Sequence, residues 1–320
     1  MTSSPSTTTS LAELAAAKTA VVFAYHNVGV RCLKTLLARG VRVLLVVTHT
    51  DHPNETIWFE SVARLCEMQG IPYITPADVQ GDDLFAQIKA LAPDFIFSFY
   101  YRNMLPARLL SLARLGAYNL HGSLLPKYRG RVPVNWAVLH GETETGASLH
   151  AMVEKPDAGG IVAQTAVPIL PDDTAFDVFG KLTVAAEQTL WRALPDLLEG
   201  SVVMHPNDLS QGSYFGGRKP EDGRIDWSLG AQQVYNLHRA VAPPYPGAFT
   251  DVGPYRFVLE KAHLNKKSLS DLPPGLHVVD NAIFGVCGDG QALHIDALLL
   301  EGKVVAAGEL ASYLDVSGKH

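Results

Sequence analysis

The sequence predicts an α/β protein with a doubly wound, mostly parallel sheet, followed by a small domain of short strands. From Thr19 onward, continuous apolar runs alternate with helical patterns, as is typical of parallel strands joined by right-handed crossovers. Near Met204 this rhythm changes to a stretch rich in glycine and proline. The short candidate strands that follow, with glycine turns between them, favour a small β-barrel or sandwich. A length of 320 residues also favours two domains over one.

The individual elements follow from the spacing of apolar residues. In the first part of the chain, buried strands are expected at residues 19–25, 41–49, 71–75, 94–100 and 116–120, and helices at 30–40, 57–70 and 82–92. An antiparallel extension is expected at 146–153 and 160–169, followed by a long helix from Ala175 to about Leu198. Beyond it we expect a helix at 230–241 and strands at 284–288 and 292–300 with a hairpin turn between them. We therefore predict a disordered tail over residues 1–17, a first domain over 18–204 and a second over 205–320.

Composition narrows the range of partners. The net charge of −6 argues against a broad phosphate-binding surface, so we expect no nucleic-acid partner. No apolar run approaches the roughly 20 residues of a membrane helix, and the first residues do not resemble a secretory signal. The three cysteines are widely separated, which suits reduced thiols. We expect a soluble, cytoplasmic protein without a membrane partner; the oligomeric state stays open.

The strand at residues 116–120 ends in an unusual polar pair. Asn119 and His121 are two residues apart, so on an extended strand both side chains point to one face, while Leu120 points to the other. An imidazole can move a proton near neutral pH, and an amide N–H can stabilise a developing oxyanion. Asp157, in the loop "EKPDAGG", offers a carboxylate that could orient the imidazole. The plainer alternative is that these are satisfied polar groups at a strand end.

The stretch "NLHGSLLPKYRGRVPVNWAVLHGETETGASLH", followed by "DAGGIVAQ", closely resembles the folate-dependent formyltransferases. Within that family, "VVFAYHNVG", "THTDHP", "DFIFSFYYR" and "PYPGAF" are most similar to the formyltransferase domain of the bifunctional enzyme that modifies 4-amino-4-deoxy-L-arabinose for lipid A. The resemblance implies a Rossmann-like first domain and a C-terminal OB-like β-barrel. It also implies 10-formyltetrahydrofolate as the formyl donor, with no metal.

The resemblance assigns roles to particular residues. Asn119, His121 and Asp157 match the catalytic residues of the family. The expected folate contacts are Asn103, Met104, Leu105, Arg131, Val153, Glu154, Lys155, Pro156 and Asp157. The acceptor implied is UDP-4-amino-4-deoxy-L-arabinose, a nucleotide-linked amino sugar used to modify the lipid A of lipopolysaccharide, a modification associated with antibiotic resistance. Arg218 and Trp227 are candidate contacts for the nucleotide sugar.

Several alternatives remain open at this level. A methionyl-tRNA formyltransferase is disfavoured because residues 206–320 carry 10 basic and 13 acidic side chains. A 10-formyltetrahydrofolate hydrolase would use the same three residues with water as the acceptor. A non-enzymatic nucleotide-sugar sensor would have the same ligand-binding groove but would lack the catalytic groups. A nicotinamide dehydrogenase is disfavoured because "AYHNVG" lacks the glycine pattern that binds a pyrophosphate. His49, Asp51 and His52 have metal-ligand chemistry, but a polar loop after a strand accounts for them.

Overall fold

The structure, a computed structural model, describes residues 17–53 and 55–317. The predicted disordered tail lies, except for its last residue, outside the described residues. The chain divides into two compact units. The first takes in the chain up to Arg129, Gly146–Thr165 and Thr183–Ser213, and the second takes in Gly130–Thr145, Ala166–Leu182 and the chain from Tyr214 onward. A single boundary near residue 204 stays a prediction.

Secondary structure follows the predicted alternation through the first two thirds of the chain. The elements are β1 (Thr19–Ala24), α1 (His26–Ala38), β2 (Arg42–Val47), α2 (Val62–Gln69), β3 (Tyr73–Ile74), α3 (Asp82–Leu91), β4 (Phe95–Phe99), α4 (Ala107–Leu110), β5 (Gly116–His121), β6 (Arg129–Gly130), α5 (Pro133–Leu139), β7 (Glu144–Ala151), β8 (Ile161–Pro168) and α6 (Ala175–Glu199).

The remainder is dominated by strands. Its elements are β9 (Tyr214–Phe215), α7 (Ala231–Val241), β10 (Ala248–Val252), β11 (Tyr255–Leu264), β12 (Gly275–Val279), β13 (Ala282–Val286), β14 (Ala292–Leu300), β15 (Lys303–Val304) and α8 (Ala307–Ser317). Two short 3₁₀ turns, Leu209–Gln211 and Pro220–Gly223, precede α7.

The larger sheet has the strand order β3-β2-β1-β4-β5-β7-β8. The strands β1 to β5 pair in parallel, and β7 pairs with β5 in the antiparallel direction. This arrangement confirms the Rossmann-like, doubly wound prediction. Every residue of β4, "FIFSF", is buried, as expected for a central strand covered on both faces. The carboxyl ends of the parallel strands, where ligands of such sheets bind, are the ends at which β5 presents its polar pair.

One helix is shorter than the sequence predicts. The expected helix over residues 57–70 begins only at Val62, where the Ser61 side chain accepts a hydrogen bond from the Arg64 backbone N–H. The aromatic residues before it take another role: the Phe59 and Trp58 rings pack on the His26 ring, with centroids 3.9 and 4.5 Å away. Tertiary contact with aromatic rings therefore overrides the helical spacing of "IWFE".

The second unit contains an antiparallel sheet with the order β10-β11-β14-β13-β12, to which β15 adds beside β14. This sheet agrees with the predicted OB-like domain. The "GDG" segment lies between the antiparallel partners β13 and β14, and Gly290 has φ of +74°, so the predicted hairpin turn is confirmed.

All three cysteines are buried free thiols, as predicted. Among the described residues, no helix combines the length and the apolar character needed to cross a bilayer.

Candidate functional site

The polar pair of β5 lies between two neighbouring strands in the first unit. Asn119 pairs with Ser98 of β4 on one side and with His150 of β7 on the other. Leu120 is 1% exposed and packs in the core, while His121 is 7% exposed. The strand therefore separates its apolar and polar residues onto opposite faces, as the spacing predicts.

The hydrogen bonds of His121 define its tautomer. Its Nε2 lies 2.8 Å from the Tyr128 carbonyl oxygen, which can only accept, so Nε2 carries the hydrogen. In a neutral imidazole, Nδ1 then holds the lone pair. This atom lies 3.5 Å from Asp157 Oδ1. His121 is thus arranged to accept a proton at Nδ1, where Asp157 stabilises the resulting imidazolium.

Two opposing effects set the basicity of His121. Burial lowers the pKa of His121 below its ordinary value, and the neighbouring His150 acts in the same direction. The Asp157 carboxylate and the hydrogen bond to Tyr128 raise the pKa again, but burial prevails. The imidazole is therefore neutral at neutral pH, the form in which it can act as a base.

Asp157 is held in place by its own loop. Its backbone has φ of +49°, a left-handed conformation that Asp adopts more readily than most residues. Asn207 donates from Nδ2 to the carbonyl oxygens of Asp157 and Gly159, both at 3.0 Å. A Cβ on Gly159 would lie 1.9 Å from the Ala151 carbonyl oxygen, so the loop closes tightly against the end of β7.

His150 completes the group, although no sequence pattern points to it. Its Nδ1 donates to the Ala151 carbonyl oxygen at 2.9 Å, which leaves Nε2 as an acceptor. Asn119 Nδ2 donates to that Nε2 at 3.0 Å and lies 3.5 Å from Asp157 Oδ1. His150 is only 2% exposed. It therefore determines that Asn119 presents its NH₂ group, not its oxygen, toward Asp157.

The sequence gives little indication that His150 and Asn207 belong to this site. His150 falls on a predicted strand, but only the β5–β7 register shows that it faces Asn119. Asn207 lies 50 residues from Asp157 along the chain, in the stretch where the sequence pattern breaks down. Their contribution depends on pairing between distant segments, which spacing alone does not reveal.

The expected pterin-binding segment follows β4 in the first unit. Arg102, which precedes it, donates from its backbone N–H to His49 Nε2 at 3.1 Å. Its guanidinium donates two hydrogen bonds to the Glu55 carboxylate, and the one from Nη1 to Oε2 is 2.9 Å long. Burial and then the Arg102 charge lower the pKa of His49 to about 4, so this imidazole is neutral and accepts. The ring of His49 stacks on Tyr101 at 4.1 Å. The segment leaving β4 is therefore anchored at its start.

The two loops expected to contact folate meet the same apolar cluster. Leu105 is part of that cluster, and Met152, directly before Val153, packs against it. Met104 and Val153 are exposed apolar side chains, at 54% and 46%. Exposed apolar side chains next in the chain to residues of that cluster suit a flat aromatic ligand. Glu154 and Lys155 are exposed, whereas Pro156 is half-buried.

The remaining predicted contacts belong to the second unit. Arg131 is exposed and lies against Gly217, whose added Cβ would be 3.5 Å from its Cδ. The Arg218 guanidinium lies over the Trp136 ring at 4.8 Å, and its Nε is buried without a hydrogen-bond partner in the part of the chain that the structure describes. Trp227 packs against Gly285 and donates to Thr250 Oγ1 at 3.1 Å. The roles of these three residues stay predictions.

The residues weighed as metal ligands have other contacts. Asp51 accepts a hydrogen bond from the Tyr25 hydroxyl at 2.6 Å, and His49 accepts one from the Arg102 backbone N–H. Both contacts agree with the interpretation of "THTDH" as a polar loop that follows a strand.

An amide donor, a neutral imidazole and a carboxylate thus meet at the carboxyl end of a parallel sheet. These are the parts needed to stabilise an oxyanion and move a proton during acyl transfer. Fold and site together are those of an α/β enzyme with the groups that acyl transfer requires.

Comparison with known families narrows that class. A model described as formyl transferase matches residues 20–194, and a model of the formyl transferase C-terminal domain matches residues 218–312. The chain belongs to the formyl transferase family and is an enzyme of formyl transfer.

Solved structures share the fold at low identity. One is the N-formyltransferase from Helicobacter canadensis in complex with folinic acid and dTDP-3-aminofucose, with 18% identity and a TM-score of 0.69 over 87% of this chain and 98% of that one. Another is WlaRD, a sugar 3N-formyl transferase in the presence of dTDP and 5-N-formyl-THF, with 17% identity and a TM-score of 0.70 over 89% and 98%. HypX from Aquifex aeolicus, in complex with tetrahydrofolic acid, matches with 18% identity and a TM-score of 0.62 over 92% and 47%.

Proposed function

We propose that this enzyme transfers a formyl group from 10-formyltetrahydrofolate to the amine of a nucleotide-linked amino sugar, and that UDP-4-amino-4-deoxy-L-arabinose is its acceptor. The observation that carries the proposal is the convergence of Asn119, His121 and Asp157 within 3.5 Å contacts in the first unit. The similar structures that contain folates and a dTDP-linked amino sugar support the two substrate classes.

In this proposal, 10-formyltetrahydrofolate supplies the formyl group, and the chain provides the groups that stabilise charge and move the proton. Asn119 keeps one N–H on His150 Nε2 and donates the other, which has only the 3.5 Å contact with Asp157, to the formyl oxygen. This oxygen gains negative charge as the sugar amine adds to the formyl carbon. His121 takes the amine proton at Nδ1 and returns it to the departing nitrogen of tetrahydrofolate. Asp157 stabilises His121 while it is charged.

Binding roles are assigned in the same proposal. The backbone of Asn103, Met104 and Leu105 and the loop from Val153 to Asp157 hold the pterin, and Arg131 holds an anionic part of the folate. Arg218 binds the diphosphate of the sugar nucleotide, since a guanidinium can donate two parallel hydrogen bonds to phosphate oxygens. Trp227 contributes an aromatic surface for the same ligand.

The test is a panel assay. The protein is incubated with 10-formyltetrahydrofolate and separate aminated UDP- and dTDP-sugars, and each product is examined for a mass gain of one formyl group. We expect formylation of UDP-4-amino-4-deoxy-L-arabinose. Formate release without an amine would indicate a hydrolase instead, and formylation of methionyl-tRNA with no sugar product would indicate the tRNA enzyme.

Replacing Asp157 should change the pH dependence of the reaction. In Asp157→Asn the carboxylate that raises the pKa of His121 is lost, while burial still lowers it. Because His121 acts in its neutral form, the acidic limb of the kcat profile should move to lower pH. The weaker base should also reduce the plateau by on the order of 10- to 100-fold. An acidic limb that moves to higher pH, or does not move, would contradict the role of Asp157.

Replacing His150 should impair the orientation of Asn119. His150→Leu removes the acceptor at Nε2, so the Asn119 amide can rotate and present its oxygen to the formyl oxygen. We expect kcat to fall by about 10-fold or more with a smaller change in KM, because the misplaced N–H matters chiefly in the transition state, where the formyl oxygen carries negative charge. His150→Gln, which keeps an acceptor, should recover part of the rate. Equal activities of the two variants would show that this hydrogen bond does not orient Asn119.

A further inference from the structure

The sheet of the second unit carries a cluster of metal-binding side chains on one face. His263 of β11 and His294 of β14 are direct cross-strand partners. Asp296 is two residues beyond His294 on β14, so its side chain points to the same face. Three groups that bind transition metals therefore come together on two adjacent strands.

The geometry of the cluster is close to that of a coordination site. Asp296 Oδ2 lies 2.9 Å from His263 Nδ1, and Asp296 Oδ1 lies 3.1 Å from His294 Nδ1. Ligand atoms of all three residues lie within 4.8 Å of one another. In a tetrahedral zinc site with bonds of about 2.1 Å, adjacent ligand atoms are roughly 3.4 Å apart. Only small side-chain movements separate the observed arrangement from that geometry.

Neighbouring residues hold the cluster in place. The His294 ring packs edge-on against Phe284 of β13, its register partner, with centroids 5.0 Å apart. Ile295, between His294 and Asp296, is 3% exposed and anchors β14 in the core. The His263 and His294 rings are 4.9 Å apart. Ligands carried on paired strands keep their spacing better than ligands on a loop.

We propose that His263, His294 and Asp296 bind a divalent transition metal ion of the Zn²⁺ type, with solvent completing the coordination. Without the ion, the Asp296 carboxylate accepts hydrogen bonds from Nδ1–H of both imidazoles. On binding, the ion replaces these two hydrogens: each neutral imidazole then carries its proton on Nε2 and offers its Nδ1 lone pair, while Asp296 contributes one carboxylate oxygen. Two imidazoles and a carboxylate favour zinc over Mg²⁺ or Ca²⁺, which prefer oxygen ligands. The side chains are 31–53% exposed, so an ion can reach them from solvent. The bound ion joins β11 to β14 and does not depend on the proposed transfer reaction.

The test is a zinc titration of the full chain after removal of metals with a chelator. Calorimetry should show one saturable site, and excess zinc should raise the melting temperature, because the folded state binds the ion. His263→Ala, His294→Ala and the isosteric Asp296→Asn should each weaken zinc binding by at least about 10-fold. In the wild-type protein, zinc should shift the side-chain ¹⁵N resonances of His263 and His294.

Two controls separate this site from other histidines. His277→Ala, in the same cross-sheet row on β12 but outside the cluster, should bind zinc like the wild type. His121→Ala should also bind it, which excludes the catalytic histidine as the ligand. Absence of stoichiometric zinc binding, unshifted His263 and His294 resonances, or full binding in the cluster variants would overturn the proposal. Equal tightness for Mg²⁺ would contradict the assigned ligand class.

Discussion

Replacing His121 with alanine is expected to lower kcat by about 10²- to 10⁴-fold, the usual contribution of a positioned acid–base group. In the proposed mechanism the imidazole accepts a proton at Nδ1, and no other base among the described residues is oriented by both Tyr128 and Asp157. Folate binding should be largely retained, because other residues make the expected pterin contacts. Single-turnover kinetics with a folate-binding titration would measure both effects.

Because His121 is buried, the alanine variant could also leave a cavity, and a second variant avoids that ambiguity. His121→Gln keeps a group that can donate to the Tyr128 carbonyl but has no basic nitrogen. It should fold like the wild type and lose a similar factor in kcat. His205→Ala, which removes an exposed imidazole from the same unit, serves as the matched control and should stay active. A glutamine variant with near-normal kcat would exclude His121 from the chemistry.

Removing the Asn119 amide is expected to lower kcat by about 10²- to 10³-fold, as for loss of one oxyanion donor. In Asn119→Ala the formyl oxygen gains charge without this N–H, and the His150 acceptor loses its donor. The KM for folate should change much less, since the interaction forms chiefly as charge develops. Steady-state kinetics over a range of folate concentrations would separate the two parameters.

Asn119→Asp is the informative companion to that variant. It preserves the shape but places a negative charge near Asp157 and near the developing oxyanion, so it should be at least as slow as Asn119→Ala. Asn265→Ala removes an amide from the second unit and should leave kcat unchanged. If Asn119→Asp were faster than Asn119→Ala at neutral pH, an oxyanion-stabilising role for Asn119 would be excluded.

Much of the architecture follows from local patterns in the chain. The strand at residues 292–300 and the helix that begins at Ala175 occur almost as the apolar spacing predicts. Apolar runs such as "FIFSF" can satisfy their backbone and side chains only inside a covered sheet, so the pattern determines the element. The start of α2 is missed because "IWFE" has helical spacing, yet its rings pack against His26 of a different segment.

The polar pair at the end of β5 illustrates the same distinction. By itself, the sequence determines that Asn119 and His121 share one face of a strand end, because alternation along a strand is a property of the backbone. Only the tertiary structure decides which atoms of that pair are available. The Tyr128 carbonyl selects the tautomer of His121, and His150, 31 residues from Asn119, orients the Asn119 amide. Asn207, 50 residues from Asp157, holds the loop that carries the carboxylate. Such choices depend on cross-strand register and on loop closure, which long-range packing sets and local spacing does not encode.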